Sequence, residues 1–285
     1  MTDKMLVSLH GGHSGQFCTH ASDNLEEMVL RYIELGFTHV GISEHMPSPY
    51  SEFMYDDEKE AGFTPELLLE KFGLYIKECE RLKLKYKEKI NLYTGFETET
   101  FPGSEEYIFF LIKQFKPDYI VGSVHHVNGY SFDFSKKHYA DAVNSCSGIL
   151  NFYRRYFDIQ YEMLVRLKPQ VAGHFDLVRI FDKDYDSRIK EKTISDKIDR
   201  NLQAIKELDI IMDFNQRALF KNMKEPYPAN SIFKKAVEMG IKIVAGDDSH
   251  DVQSVGYNFE SAVKTLENHG VIMTTDIFSR FFNKN

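Results

Sequence analysis

The chain alternates short β-rich runs with longer amphipathic segments from one end to the other. Seven runs read as strands, at residues 5–10, 39–44, 90–97, 119–125, 170–174, 210–215 and 241–246, with a further short one near 271–274. Between them, apolar residues recur at helical spacing. Residues 25–35 carry Leu25, Met28, Val29, Tyr32 and Ile33 on one face, and 65–84 repeat the pattern through Leu68, Phe72, Tyr75, Ile76 and Cys79. The segments 152–167, 193–208 and 230–239 do likewise. Strands in this rhythm pair in parallel, because a helix supplies the crossover that parallel neighbours need. The reading is therefore an α/β protein with helices outside a mostly parallel sheet. No stretch resembles a linker, which favours a closed or nearly closed barrel over residues 1–285 as one domain; an open, doubly wound sheet is the other architecture. The longest connection without an obvious strand is 128–146, and 130–135 within it suits an insertion beside a site.

Composition narrows the function classes. With 285 residues, 42% of them hydrophobic, there is ample material for a large core. Lys and Arg number 35 against 43 Asp and Glu, a formal charge of −8, which argues against gripping a nucleic acid by bulk charge. Cys18, Cys79 and Cys146 are odd in number and far apart, so no disulfide framework is expected and a reducing compartment is. The N-terminal MTDKMLVSLHGGHSG lacks a signal-peptide apolar run, and no segment reaches membrane-spanning length. A soluble, cytoplasmic protein is expected, with no membrane partner.

The eleven histidines carry the most information. His10, His45, His125, His174 and His250 each fall at or just past the C-terminal end of an expected strand, as do Glu97 and Asp248. In a parallel barrel those ends converge on one face. Nitrogen and carboxylate donors without thiolates suit Zn, Mn or Fe in a catalytic site. His39, His138 and His269 lie elsewhere and read as ordinary packing or surface residues. Of the adjacent pair, His125 rather than His126 is expected to face the pocket, since neighbours on a strand point to opposite sides. His10 and His13 are three apart, a spacing that a flat strand would splay; the intervening Gly11-Gly12 offers a turn that lets them converge.

These residues fall in ordered motifs: His10 and His13 with Cys18-Thr19-His20, then Ser43-Glu44-His45-Met46-Pro47, Gly95-Phe96-Glu97 and Gly122-Ser123-Val124-His125-His126. Ala172-Gly173-His174-Phe175-Asp176-Leu177 and Gly246-Asp247-Asp248-Ser249-His250 complete the series. Together they resemble the PHP (polymerase and histidinol phosphatase) family, most closely its histidinol-phosphate phosphatase branch. The first motif has HxxH where the family has HxH, and Asp247 stands in place of its usual Ser. The resemblance implies a distorted (β/α)7, TIM-like barrel holding three divalent metal ions. His10, His13, Glu97 and Asp248 would hold one; Glu97 would bridge to a second with His125 and His174; His20, His45 and His250 would hold the third. Glu99, lacking the Gly-Phe context of Glu97, reads as a substrate contact or as neither.

The implied activity is hydrolysis of L-histidinol phosphate, a small phosphorylated substrate, by a metal-bridging hydroxide in histidine biosynthesis. Neighbouring cations lower the pKa of water from about 15.7 towards about 7, so no protein nucleophile is needed. Arg179, Arg217 and Asn215 are candidate substrate contacts, Asn215-Gln216-Arg217 being similar to an Asn-x-Arg of the phosphatase branch. Asp248 and His250 are candidate proton donors to the leaving oxygen, beside Glu97 in the catalytic set. Glu99 and the 128–133 loop are candidates for the histidinol end. A phosphoesterase acting on another small metabolite or on a nucleotide is the alternative. An amidohydrolase-like barrel would show a strand-end lysine, which is missing here, and a non-catalytic barrel would have lost ligand positions.

Overall fold

A computed structural model of the chain describes residues 6–271 and 277–278. Its strands, in chain order, are β1 (Leu6–Ser8), β2 (Phe37–Ile42), β3 (Asn91–Thr94), β4 (Val121–Gly122), β5 (His126–Val127), β6 (Tyr130–Ser131), β7 (Val171–Ala172), β8 (Ile211–Asn215) and β9 (Ile243–Gly246). β1, β2 and β3 make one parallel sheet in that order, and β4, β7, β8 and β9 make a second. Single parallel bridges from His45 to Glu97 and from Glu97 to Val121 carry the order from the first sheet into the second. At the far margin Asp248 N donates to His10 O at 2.9 Å, so the end of β9 meets the end of β1.

Each of the seven expected runs coincides with one of these parallel strands; six strands lie within their run and are shorter than it, while β2 starts two residues earlier, at Phe37. His10, Glu44, His125 and His174 have already left the ladder and sit in the loops that follow it, while Glu97 keeps only single bridges to His45 and Val121. The 128–146 connection holds more structure than expected. β5 and β6 form an antiparallel hairpin pairing Val127 with Tyr130. Its two turn residues, Asn128 (φ 53°) and Gly129 (φ 80°), both have positive φ, as a primed turn demands. The Asn-Gly dipeptide was the signal for it. The helix Lys136–Ser145 follows, started by Ser135 Oγ accepting from His138 N. A helix at Ser104–Phe115 was likewise not anticipated. Of the expected 271–274 strand, residues 272–274 lie outside the described residues.

The helices bury the faces that their periodicity marks. The helix Ile149–Leu167 hides Phe152, Tyr153, Tyr156, Phe157, Met163 and Leu164, each burial contributing roughly 1.5–3 kcal/mol. It packs against the helix Lys192–Glu207, where the buried amide of Asn201 donates to Phe157 O (2.8 Å) and Gln160 Oε1 (3.0 Å). The three cysteines are free. Among the described residues, no helix is long and apolar enough to cross a membrane.

Candidate metal centre

The first loop shows how local chemistry aims two histidines at one point. Gly12 has φ 78°, a conformation costly for any residue with a Cβ. At Gly11 a Cβ would fall 2.4 Å from Tyr32 Oη and 2.6 Å from Asp247 Oδ1. The pair thus lets the chain run close against a buried polar wall, while the bend itself falls one step earlier, at Leu9 and His10. His10 and His13 end with ring centroids 6.2 Å apart, both reaching Glu97.

Glu97 lies at the centre. Its Oε1 is 3.3 Å from His10 Nε2, 3.3 Å from His125 Nε2 and 2.8 Å from His174 Nε2, while Oε2 is 3.7 Å from His13 Nε2. Asp248 Oδ1 lies 3.3 Å from His13 Nε2 and 4.0 Å from His10 Nε2. Asp248 holds a positive φ of 48°, a strain that positions its carboxylate here. On the outer side His13, His20, His45 and His250 bring one nitrogen each to within 4.8 Å of one another. Further groupings at that spacing are His10–His174–Asp248, His10–His13–Glu97, Glu97–His125–His174 and His45–Glu99–His125. All nine side chains expected as ligands are therefore brought together, with Glu99 as an added member.

Two buried glutamates show which electrostatic effect wins. Burial pushes both carboxyls upward. At Glu97 the imidazoles of His10, His125 and His174 overcome it and hold the group well below the usual carboxylate range. Glu44, whose hydrogen bonds come from Ser14 N (2.7 Å) and Oγ (2.9 Å), rises to about 7. Among the imidazoles, burial lowers His13 to about 4, so it stays neutral and able to bind metal. Burial opposes protonation of His10 too, yet Glu97, Asp248 and Asp213 raise it well above the ordinary histidine value.

The residues fit a bound cation cluster. Among the described residues, His10 Nε2, both ring nitrogens of His13, Glu97 Oε1 and His174 Nδ1 are removed from water and make no well-aligned hydrogen bond, close as some of them lie to one another. Such orphaned atoms are costly unless something coordinates them. The donors are all nitrogen and oxygen, the set that suits Zn, Fe or Mn.

Residues 9–217 match the family model described as the PHP domain. The chain belongs to this family. A Schizosaccharomyces pombe protein assigned as a histidinol-phosphatase is 35% identical over 94% of this chain and 88% of its own length. The Saccharomyces cerevisiae histidinol-phosphatase is 30% identical over 90% of this chain and 87% of its own. A solved Listeria monocytogenes structure assigned as a histidinol phosphatase superposes with a TM-score of 0.79 at 29% identity, covering 90% of this chain and 99% of that one.

Around the PHP centre lies a shell of orienting groups that sequence reading passed over. Asp213, on β8, receives His10 Nδ1 at 2.7 Å, with both side chains essentially unexposed. A carboxylate accepts only, so Nδ1 carries a proton here and Nε2 is the nitrogen turned to Glu97 and offered to an ion. The signal was a lone acid within the apolar strand Ile-Met-Asp-Phe-Asn, two residues from Asn215 and hence on the same face. Asp213→Asn is expected to weaken metal binding about 10- to 100-fold, read by competition with a chromophoric chelator.

Glu99 orients more than one ring. Its carboxylate is 3.2 Å from His45 Nδ1, 3.1 Å from the Nδ1 of both His125 and His126, and 2.7 Å from Tyr55 Oη. Both neighbouring histidines reach it, which corrects the expectation that His125 alone faces the pocket: His125 lies outside the strands, between β4 and β5, where strict alternation of sides does not hold. Glu99 therefore differs from the expected reading of a substrate contact or none: its acceptors are already engaged.

The three expected substrate contacts fare differently. Asn215 has both ends of its amide engaged within the PHP chain: Nδ2 donates to Asp213 Oδ2 (2.9 Å) and Asp248 Oδ2 (3.2 Å), and Oδ1 accepts from Arg217 N (2.9 Å). It ties two carboxylates together rather than standing free for substrate. Arg179 is fully buried, paired with Asp176 (2.9 Å), bonded to Pro226 O (2.5 Å) and flanked by the rings of Tyr185 and Tyr227. Its Nη1 is left without a partner. Arg217 has both Nε and Nη1 buried and, among the described residues, unpartnered. Burial, then the charges of His13 and Arg217, hold His250 well below the ordinary histidine value, and the Arg217 backbone is tied through Asn215 to Asp248.

Proposed function

We propose that this PHP chain is a metal-dependent phosphomonoesterase that hydrolyses L-histidinol phosphate to L-histidinol and phosphate, a step of histidine biosynthesis. The observation that carries the reading is the convergence of His10, His13, His20, His45, Glu97, His125, His174, Asp248 and His250 on one face, several with buried, orphaned donor atoms. Relatives named as histidinol-phosphatases that match nearly end to end support the substrate. The joined order of the seven parallel strands supports a distorted (β/α)7, TIM-like barrel formed by residues 1–285 as one domain. A soluble, cytoplasmic enzyme fits its free cysteines.

His10, His13, Glu97 and Asp248 would hold one divalent ion, Glu97 with His125 and His174 a second, and His20, His45 and His250 a third. Bound divalent ions, as Zn, Fe or Mn, supply Lewis acidity that generates a nucleophile from water near neutral pH and offsets charge on the phosphoryl oxygens. The protein's own part is to position and to move protons. Glu97 stands between the inner imidazoles and keeps its charge despite full burial. Arg217 offers two unengaged N–H directions at the cluster's edge for a phosphoryl oxygen pair. Asp248 and His250, whose side chains lie 3.7 Å apart, are the groups proposed to pass a proton to the leaving alkoxide.

The test is phosphate release by the metal-replete enzyme from a panel of phosphomonoesters. L-histidinol phosphate should give the highest kcat/KM, and Arg217→Ala should lower it about 10- to 100-fold. Preference for a nucleotide or a sugar phosphate would overturn the substrate.

A further inference from the structure

One carboxylate beside the centre has no ion-pair or hydrogen-bond partner among the described residues. Asp133 follows the β5–β6 hairpin, between two residues that fix its place. Phe132 N donates to His125 O at 3.1 Å, and the Phe132 side chain is buried against Phe152 and Tyr156. Phe134 stacks on Tyr55, with ring centroids 6.2 Å apart. Tyr55 in turn donates to Glu99, which contacts the rings of His45 and His125. Asp133 is thus strung between the His125 backbone and the Tyr55 ring, at the edge of the cluster.

Its Oδ1 is removed from water and has no hydrogen-bond partner. Its charge acts on Tyr55, His125, Tyr227 and Lys221. Yet among the described residues no ion pair or hydrogen bond ties it to any of them. The neighbouring acids are committed: Glu99 to three histidines and Tyr55, Asp213 to His10 and Asn215, Asp248 to His13 and Asn215. A half-buried carboxylate with one dry, unpartnered oxygen is costly by itself and suits a cationic donor.

We propose that Asp133 is a specificity-determining residue that receives a protonated amine of the substrate. This rests on the phosphomonoesterase reading above. In an amino-alcohol phosphate the ammonium is on the carbon adjacent to the phosphate-bearing one. A phosphoryl group at the cluster, with Arg217 at its edge, therefore leaves the ammonium a few bonds away, within reach of a carboxylate beside His125. An ester without the amine would leave Asp133 unpaired, and a site built to pair a polar group rejects the analogue that lacks it.

The test compares metal-replete wild type, Asp133→Asn and Asp133→Glu on two ester pairs. One pair is L-histidinol phosphate and its des-amino analogue; the other is phosphoethanolamine and ethyl phosphate. In wild type the amine-bearing member should be preferred by at least about tenfold in kcat/KM. Asp133→Asn should lower that ratio at least about tenfold, chiefly through KM, and Asp133→Glu should restore part of it. A ratio has the advantage that partial loss of metal or fold scales both members alike. A wild type without amine preference, or a preference that persists in Asp133→Asn, overturns the proposal. Slow turnover of L-histidinol phosphate, with an amine preference in the second pair that Asp133→Asn removes, would sink the substrate assignment and leave Asp133 supported.

Discussion

Glu97→Gln is expected to leave a folded protein that retains fewer ions and turns over substrate at least about 10³-fold more slowly. The substitution keeps size and shape but deletes the negative charge at the point where His10, His125, His174 and His13 converge. At an effective dielectric of about 20, each unit-charge pair about 4 Å apart contributes about 4 kcal/mol. No other carboxylate in the centre faces so many imidazoles, so none replaces it. Elemental analysis of the purified variant, with circular dichroism as the control for folding, checks this. A metal-replete, fully active Glu97→Gln enzyme would show that neither ion binding nor turnover depends on the Glu97 charge.

Stripping the ions by chelation should abolish turnover altogether and return it when Zn, Mn or Fe is added back. It should also lower the melting temperature. Ions present at about 1,000 times their dissociation constant stabilise by about 4 kcal/mol, which for a chain of this size corresponds to roughly 8–16 °C. The pH dependence has a definite sign. In the metal-free protein His10 and His125 are held well above the ordinary histidine value, because the surrounding carboxylates outweigh burial. They therefore carry protons at neutral pH that an incoming ion displaces, so uptake releases protons and apparent affinity climbs as pH rises. His13, lowered to about 4 by burial, adds no such cost above that pH. Calorimetric titration in buffers of different ionisation enthalpy measures the proton count; uptake without proton release would contradict this electrostatic picture.

The orienting shell was the part least legible beforehand, and for a reason visible at particular residues. Ligand positions advertise themselves, because imidazoles at strand ends are rare unless they converge. Asp213 and Glu99 do not, because an acid in or after a strand has no meaning until its neighbour is known. Asp213 acquires its role only from His10, 203 positions away in sequence. The same holds for Asn215, which sequence context assigned to substrate and tertiary contact assigns to Asp213 and Asp248. Arg179 looked like a free cation near a strand end, yet Asp176 and the carbonyl of Pro226 hold it in the core. The hairpin at Asn128-Gly129 was readable from its turn chemistry and was missed because its strands are two residues each.

What the amino-acid order determined by itself was periodic and local: alternating strands and helices, hence a parallel sheet, and histidines placed where parallel strands end. Hydrophobic spacing and turn chemistry act within a few residues, so they can be read along the chain. What only the tertiary structure decided was pairing: which carboxylate faces which imidazole, which proton each ring keeps, and which acid is left without a partner. Those outcomes depend on distances of about 3 Å between residues far apart in sequence, and on burial that strengthens every such contact. No pattern along the chain encodes them until it has folded.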